Sequence, residues 1–280
     1  MTRIRMFATD LDGTLLRSDR TISPRTAAAM ANARRAGIEV VWATARARHS
    51  VHELAQSCGF RGKAVCANGA VLLDLADGAP EIIDTISIEA ELAGAAMAQI
   101  RDLIPGVAFA NVGATQFVAE PAYAALCSFT DHHRDPQAMV VSETLPMLIE
   151  PMVKIVARHP EVTGAELYRA TAAVGIGGVE LTHSGAPYME MAAAGVSKAS
   201  ALARLCAIDG IDPSQVAAAG DAINDIAMLT WAGTALVPAN AGPDVLALAD
   251  RILPTNDEDG VAHYLEELVA THPAPNAPRP

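Results

Sequence analysis

The chain has 280 residues, 51% of them hydrophobic, with a net charge of −12. That length supports one large or two modest domains, and the acidic balance argues against nucleic acid or an anionic membrane surface as a partner. Four scattered cysteines (Cys58, Cys66, Cys127, Cys206) form no CxxC pair, no apolar leader follows the N-terminal basic residues, and no apolar stretch reaches about 18 residues, so a reduced, cytoplasmic chain without disulfides, zinc cluster or membrane span is expected.

A short apolar run, Ile4 to Ala8, predicts a buried strand that ends in Asp10-Leu11-Asp12 and is broken by Gly13. Two acids at the end of an apolar strand read either as an acidic Asp-Gly turn or as a pair that a metal or a transferred proton makes use of. The residues alone leave both open. Ser23-Pro24 supplies an N-cap and a first-turn proline for an alanine-rich helix ending near Gly37. A second strand, Ile38 to Ala43, leads to Thr44-Ala45-Arg46. A helix over about 47–57 closes at Gly59, a third strand covers Lys63 to Ala67, and Asn68-Gly69 turns. The runs 71–74 and 81–84, with Ala76-Asp77-Gly78 between them, predict a hairpin. Alternating strands and helices favour a parallel sheet with right-handed crossovers.

From about Ile88 the pattern changes to helices mixed with short strands and hairpins: a helix over 89–103, strands at 107–110 and 116–119, a loop over Asp131 to Pro136, a short helix near Glu143, a strand over 152–157, a helix over 161–172, and strands at 179–182 and 188–191. After Gly195 the α/β pattern resumes with a helix over 197–207, a strand over 216–219, a helix over 222–231, a strand over 234–237 and a helix over 260–270. The expected organisation is an α/β fold with a Rossmann-like parallel-sheet core (1–85 and 190–272), an inserted α+β cap (86–189) and a disordered proline-rich tail (273–280).

Three further strand ends carry polar groups. Gly220-Asp221-Ala222-Ile223-Asn224-Asp225 follows a buried strand and opens a helix, where open α/β sheets place ligands. A capped helix start accounts for Asp221 alone, but less well for the whole group. Thr44 offers a hydroxyl and the N–H groups after it, and Lys198, beside Ser197, offers a point charge at a helix start.

Together these four sites resemble the haloacid dehalogenase (HAD) superfamily, and within it the Cof-type phosphatases with a large α+β cap of type IIB. The first motif is Asp10-Leu11-Asp12-Gly13-Thr14-Leu15, the second Thr44, the third Lys198, and the fourth Gly220 to Asp225. Asn68-Gly69-Ala70, Asn240-Ala241 and Asp259-Gly260-Val261-Ala262 also match the subgroup, and Ala45 departs from its usual glycine. The resemblance implies Asp10 as the nucleophile forming an aspartyl-phosphate and Asp12 as proton carrier. It implies Mg²⁺ held by Asp10, Asp221 and the backbone carbonyl of Asp12. Phosphate oxygens would be held by Thr44, Lys198, Asn224 and the amides of Leu11 and Ala45, with Asp225 orienting Lys198 and Arg46 in support.

The resemblance thus implies a phosphatase for small phosphorylated metabolites, sugar phosphates above all, acting as a monomer or small homo-oligomer. Two alternatives remain: a phosphotransferase like the phosphomannomutases, and a non-catalytic binding protein on the same scaffold. Arg46, Lys154 and the Asp131 to Arg134 loop are expected near the leaving group. Gly175-Ile176-Gly177-Gly178 reads as a turn and not a dinucleotide fingerprint, His132-His133 as solvated loop residues, and His49 and His52 as a polar helix surface.

Overall fold

The apolar runs of the sequence become strands because they can be buried on both faces only inside a sheet covered by helices. The computed structural model describes residues 3–76, 79–113, 116–128, 131, 139–143 and 151–271. The first part contains β1 (Met6–Thr9), α1 (Pro24–Arg35), β2 (Glu39–Ala43), α2 (Arg48–Cys58), β3 (Lys63–Cys66), β4 (Val71–Asp74) and β5 (Glu81–Thr85). Next come α3 (Ala90–Leu103), β6 (Ala108–Gly113), β7 (Phe117–Ala119), α4 (Pro121–Ala124), β8 (Val140–Val141), β9 (Met152–Arg158), α5 (Gly164–Val174), β10 (Val179–Thr182) and β11 (Met189–Ala193). The last part holds α6 (Lys198–Asp209), β12 (Val216–Ala219), α7 (Ile226–Trp231), β13 (Thr234–Pro238), α8 (Pro243–Leu246), β14 (Arg251–Leu253) and α9 (Gly260–Thr271).

The first and last parts share one sheet in the order β14-β13-β12-β1-β2-β3-β4-β5. It is parallel from β14 to β3, and the β4–β5 hairpin adds an antiparallel edge. The order reverses at β1, as in doubly wound folds, whose ligands sit beyond the strand ends at that point. Register fixes the position: Thr9 lies level with Ala219 of β12 and Trp42 of β2. Asp10, Thr44 and Asp221, which follow those residues, therefore leave the sheet at one end.

Alternation along β1 divides the core. Phe7 joins Trp42, Met30 and the Tyr264–Leu265 segment of α9 on one face, and Met6 and Ala8 join Leu202 and Leu205 of α6 and Met228 of α7 on the other. Trp42, wholly buried, stacks on Phe60 at 4.0 Å between ring centres; truncating such a side chain to Ala costs about 3–5 kcal/mol.

Between the two halves of that sheet, the middle of the chain forms a second one, ordered β10-β11-β9-β6-β7-β8. Among the described helices, α3 and α5 pack on one of its faces through Ala96, Ile100 and Leu167. The opposite face gathers Val112, Phe117, Tyr123 and Tyr188. This is the inserted α+β arrangement anticipated from sequence, and β11 runs across the boundary drawn after residue 189.

Some boundaries differ. Helix α5 begins at Gly164, not near 161, because Thr163 and Glu166 form a reciprocal capping box. The helix expected over 222–231 opens with a 3₁₀ turn, Ile223–Asp225, before α7. The short segments α4, α8 and β14 were not anticipated, being three or four residues with little periodicity. Most of the short helix expected near Glu143, residues 132–134, the Asp77-Gly78 turn and the tail 273–280 lie outside the described residues. Among the described residues no helix is long and apolar enough to cross a membrane.

Candidate active site

Asp10 follows β1 with its backbone N–H donating to the Ala219 carbonyl of β12 at 2.9 Å, so it is fixed by the sheet itself. Its side chain is 8% exposed, and Oδ1 accepts from Lys198 Nζ at 2.5 Å. Lys198 opens α6, whose N-cap Ser197 holds the Ser200 N–H. The lysine is completely buried, and its Nζ also donates to Asp225 Oδ1 at 2.6 Å. Asp225 Oδ2 in turn accepts the N–H groups of Asp221 and Ala222, both at 3.0 Å. Thus Asp225 caps its own turn from within and also holds the Lys198 ammonium. Asp221 does not cap; its Oδ1 accepts from the Thr14 hydroxyl at 2.6 Å.

The Asp10-to-Leu16 loop is wound tightly by N–H groups of Thr14, Leu15 and Leu16 converging on the Leu11 carbonyl. Gly13 sits at φ +85°, and a Cβ there would come within 2.3 Å of Asp221 Oδ2. Glycine is needed both for that backbone angle and to let the acid approach. Asn240 pins the loop by donating to the Gly13 carbonyl, and Asp259 does so through a two-pronged ion pair with Arg17.

Ligand-atom oxygens of Asp10, Asp221 and Asp225 lie within 4.8 Å of one another. Burial pushes Asp10 well above the usual carboxylate range; Lys198 opposes the rise, and Asp225, Asp221 and Asp12 add to it. Burial and then Asp225 push Asp221 up to about 6, against the pull of Thr14 and Lys198. Burial works to lower Lys198, but Asp10 and Asp225 outweigh it and hold the ammonium charged. Three carboxylates facing one ammonium leave a formal charge of −2 to compensate.

An all-oxygen donor set suits a hard divalent cation such as Mg²⁺. Both Asp225 oxygens are already engaged, so Asp10 and Asp221 are the side chains that fit it. The Asp12 carboxylate is not in this cluster; the expectation for that residue concerned its main-chain carbonyl.

Asp12 instead reaches outward, 46% exposed, into a two-pronged grip by Arg46, whose Nε and Nη2 donate at 2.6 and 2.5 Å. Arg46 was expected near the leaving group; its position assigns it first to Asp12. Its backbone N–H donates to the Thr44 hydroxyl at 3.1 Å, and its carbonyl accepts from Ala67, which fastens the Thr44–Arg46 loop to the left-handed turn at Ala67-Asn68-Gly69. Asn224 donates to Asn68 Oδ1 at 3.0 Å from across the site.

These groups border a cavity of about 320 Å³ lined by Asp10, Asp12, Thr44, Ala45, Arg46 and Asn224 on one side and by Val112, Phe117, Asp131, Lys154 and Tyr188 of the inserted unit on the other. Of the predicted site residues, Lys198, Asp221 and Asp225 are not among those lining this cavity, and the Leu11 side chain is buried in the core. Arg158 donates to Asp131 at 2.6 Å. Burial opposes ionisation of Asp131, but the hydrogen bonds from Arg158 and the Ser128 N–H outweigh it and hold the carboxyl below its usual range.

A sequence profile of haloacid dehalogenase-like hydrolases matches residues 7–265. The chain belongs to this family. Phosphatase YwpJ of Bacillus subtilis is 28% identical, over 95% of this chain and all of its own length. Pyridoxal phosphate phosphatase YbhA of Escherichia coli is 27% identical, over 93% of this chain and 97% of its own. The fold is shared with SMU.1108c from Streptococcus mutans, at a TM-score of 0.83 and 22% identity, covering 95% of this chain and 99% of that one. The chain is therefore a phosphatase of the HAD kind.

Sequence reasoning missed three residues that line the cavity or touch residues of the candidate site. Thr14 was quoted only as motif, yet it holds Asp221. His49 was read as helix surface but lines the cavity, because α2 starts right after the Thr44 loop and turns its first residues inward. Glu190 was passed over, although an acid between Met189 and Met191 in a buried strand is a legible signal.

Proposed function

We propose that this HAD phosphatase hydrolyses small phosphate monoesters, sugar phosphates foremost, through an aspartyl-phosphate on Asp10 and with Mg²⁺ as cofactor, residues 86–189 acting as its cap. The observation that carries the reading is the division of labour between two acids two residues apart: Asp10 buried and held through one oxygen by Lys198, Asp12 exposed and held by Arg46. One carboxylate oxygen of Asp10 attacks phosphorus while Asp12 gives its proton to the departing alkoxide. Asp12 then takes a proton from the water that attacks the phosphorus of the aspartyl-phosphate, which frees Asp10 and releases phosphate. Lys198, Thr44, Asn224 and the amides of Leu11 and Ala45 hold the phosphate oxygens as charge builds on them. Mg²⁺, when bound by Asp10 and Asp221, supplies the positive charge that lets an anionic ester approach an anionic nucleophile. Asp131, Lys154 and Tyr188 face the leaving group. The names of YbhA and of the 28% identical YcsE of Bacillus subtilis, a 5-amino-6-(5-phospho-D-ribitylamino)uracil phosphatase, support a small ester as the substrate class. The four free cysteines fit a reducing cytoplasm.

The test is phosphate release from sugar phosphates, nucleotides and cofactor phosphates, with Mg²⁺ and with chelator. Release that needs Mg²⁺, needs no bisphosphate activator and vanishes in Asp10→Asn with the fold retained is the expected result. Dependence on a bisphosphate favours phosphotransfer, and silence across the panel favours the non-catalytic alternative.

A further inference from the structure

Lys154 lines the cavity on the side of the inserted unit, and behind it stands Glu190, a buried partner that the proposed reaction leaves without a task. Lys154 on β9 is 5% exposed and Glu190 on β11 is 1% exposed. Glu190 lies opposite Val156 in the antiparallel register, and Lys154, two residues from Val156, shares that face as its diagonal neighbour. Lys154 Nζ donates to Glu190 Oε1 at 2.7 Å and to the Ala45 carbonyl, in the loop after β2, at 3.0 Å. Burying such a pair is costly until attraction and hydrogen bonds offset it, so each remaining polar atom matters.

An ammonium has three donors. Two are directed at Glu190 and Ala45, and Lys154 borders the cavity. Glu190 Oε2 is buried and has no partner among the described residues. The pair thus keeps one donor and one acceptor in hand while its charges cancel. A hydroxyl is the small neutral group that accepts and donates at once. The Ala45 contact further fixes the pair relative to Thr44, and so to the phosphate position.

We propose that Lys154 and Glu190 are the specificity-determining pair that selects leaving groups carrying a hydroxyl, Lys154 donating a hydrogen bond to the hydroxyl oxygen and Glu190 accepting a hydrogen bond from its O–H; this rests on the phosphatase reading. The probes are sn-glycerol 3-phosphate and D-glucose 6-phosphate against propyl phosphate, whose leaving group bears no further hydroxyl. The enzymes are the parent, Lys154→Met, Glu190→Gln and the double variant. The parent is expected to prefer the hydroxylated esters. Lys154→Met is expected to cut kcat/KM on them about 10- to 100-fold, through KM, while changing propyl phosphate less than about threefold, as when one hydrogen bond to substrate is lost. Equal losses on all esters overturn the proposal, because the pair then acts only through Ala45 on phosphate binding. No loss on any, or a parent that gains nothing from hydroxyls, overturns it as well. If Lys154→Met fails to fold with Glu190 left unpaired, the double variant, which buries no charge there, carries the comparison. Propyl phosphate turnover by the parent tests the phosphatase reading alone, and failure on every ester refutes both.

Discussion

Replacing Lys198 with methionine is expected to remove a single charge and almost no volume. The lysine is wholly buried, and among the described residues its Nζ is the cation in contact with Asp10 and Asp225, at 2.5 and 2.6 Å. Methionine keeps an unbranched chain in the same space. Asp10, Asp221 and Asp225 would then face one another within 4.8 Å with no ammonium between them. Removing one partner of a buried ion pair costs about 3–5 kcal/mol, a large part of the roughly 5–15 kcal/mol that holds a typical domain folded. Adding Asp225→Asn should restore at least about 2 kcal/mol of this. The asparagine oxygen can still accept the Asp221 and Ala222 N–H groups, and one negative charge is removed from the cluster. The assay is urea unfolding of the parent, Lys198→Met, Asp225→Asn and the double variant in chelator at neutral pH. A loss under about 1 kcal/mol in Lys198→Met, or no recovery in the double variant, would refute the view that Lys198 neutralises this cluster.

Arg46→Lys keeps the charge but not the fork that grips both Asp12 oxygens; kcat should fall about tenfold or more, with a smaller change in KM, because Asp12 loses its aim while phosphate binding persists. Asp131 is held below its usual carboxylate range by Arg158 and Ser128, so its contribution to stability is present above the unfolded value near pH 4 and is lost as pH falls through the lower folded value. Asp131→Asn should therefore lower stability at neutral pH and flatten the acid limb of the unfolding profile, as followed by thermal melts between pH 2 and 7.

How much was readable in advance varied with the range of the interaction. Strands β1, β2, β3 and β12 were legible because a strand covered on both faces must be apolar throughout. Helices α1 and α6 were legible through Ser23-Pro24 and Ser197, caps acting within one turn. The start of α5 was misplaced because Thr163 and Glu166 decide it through a local exchange that periodicity does not register. Lys154 was named as a leaving-group contact, yet its partners lie 36 and 109 residues away, and nothing local points to them.

By itself the sequence determined the parallel sheet, the inserted unit, and the residue types gathered at its strand ends, since these follow from burial and backbone preference within a few residues. Tertiary structure alone decided what each polar group touches. It gave both Asp12 oxygens to Arg46, engaged both Asp225 oxygens with Lys198 and the turn's own N–H groups, and buried Lys154 against Glu190. The physical reason is that a buried charge is fixed by its nearest counter-charge, and in this fold that neighbour comes from a distant strand brought alongside by sheet order.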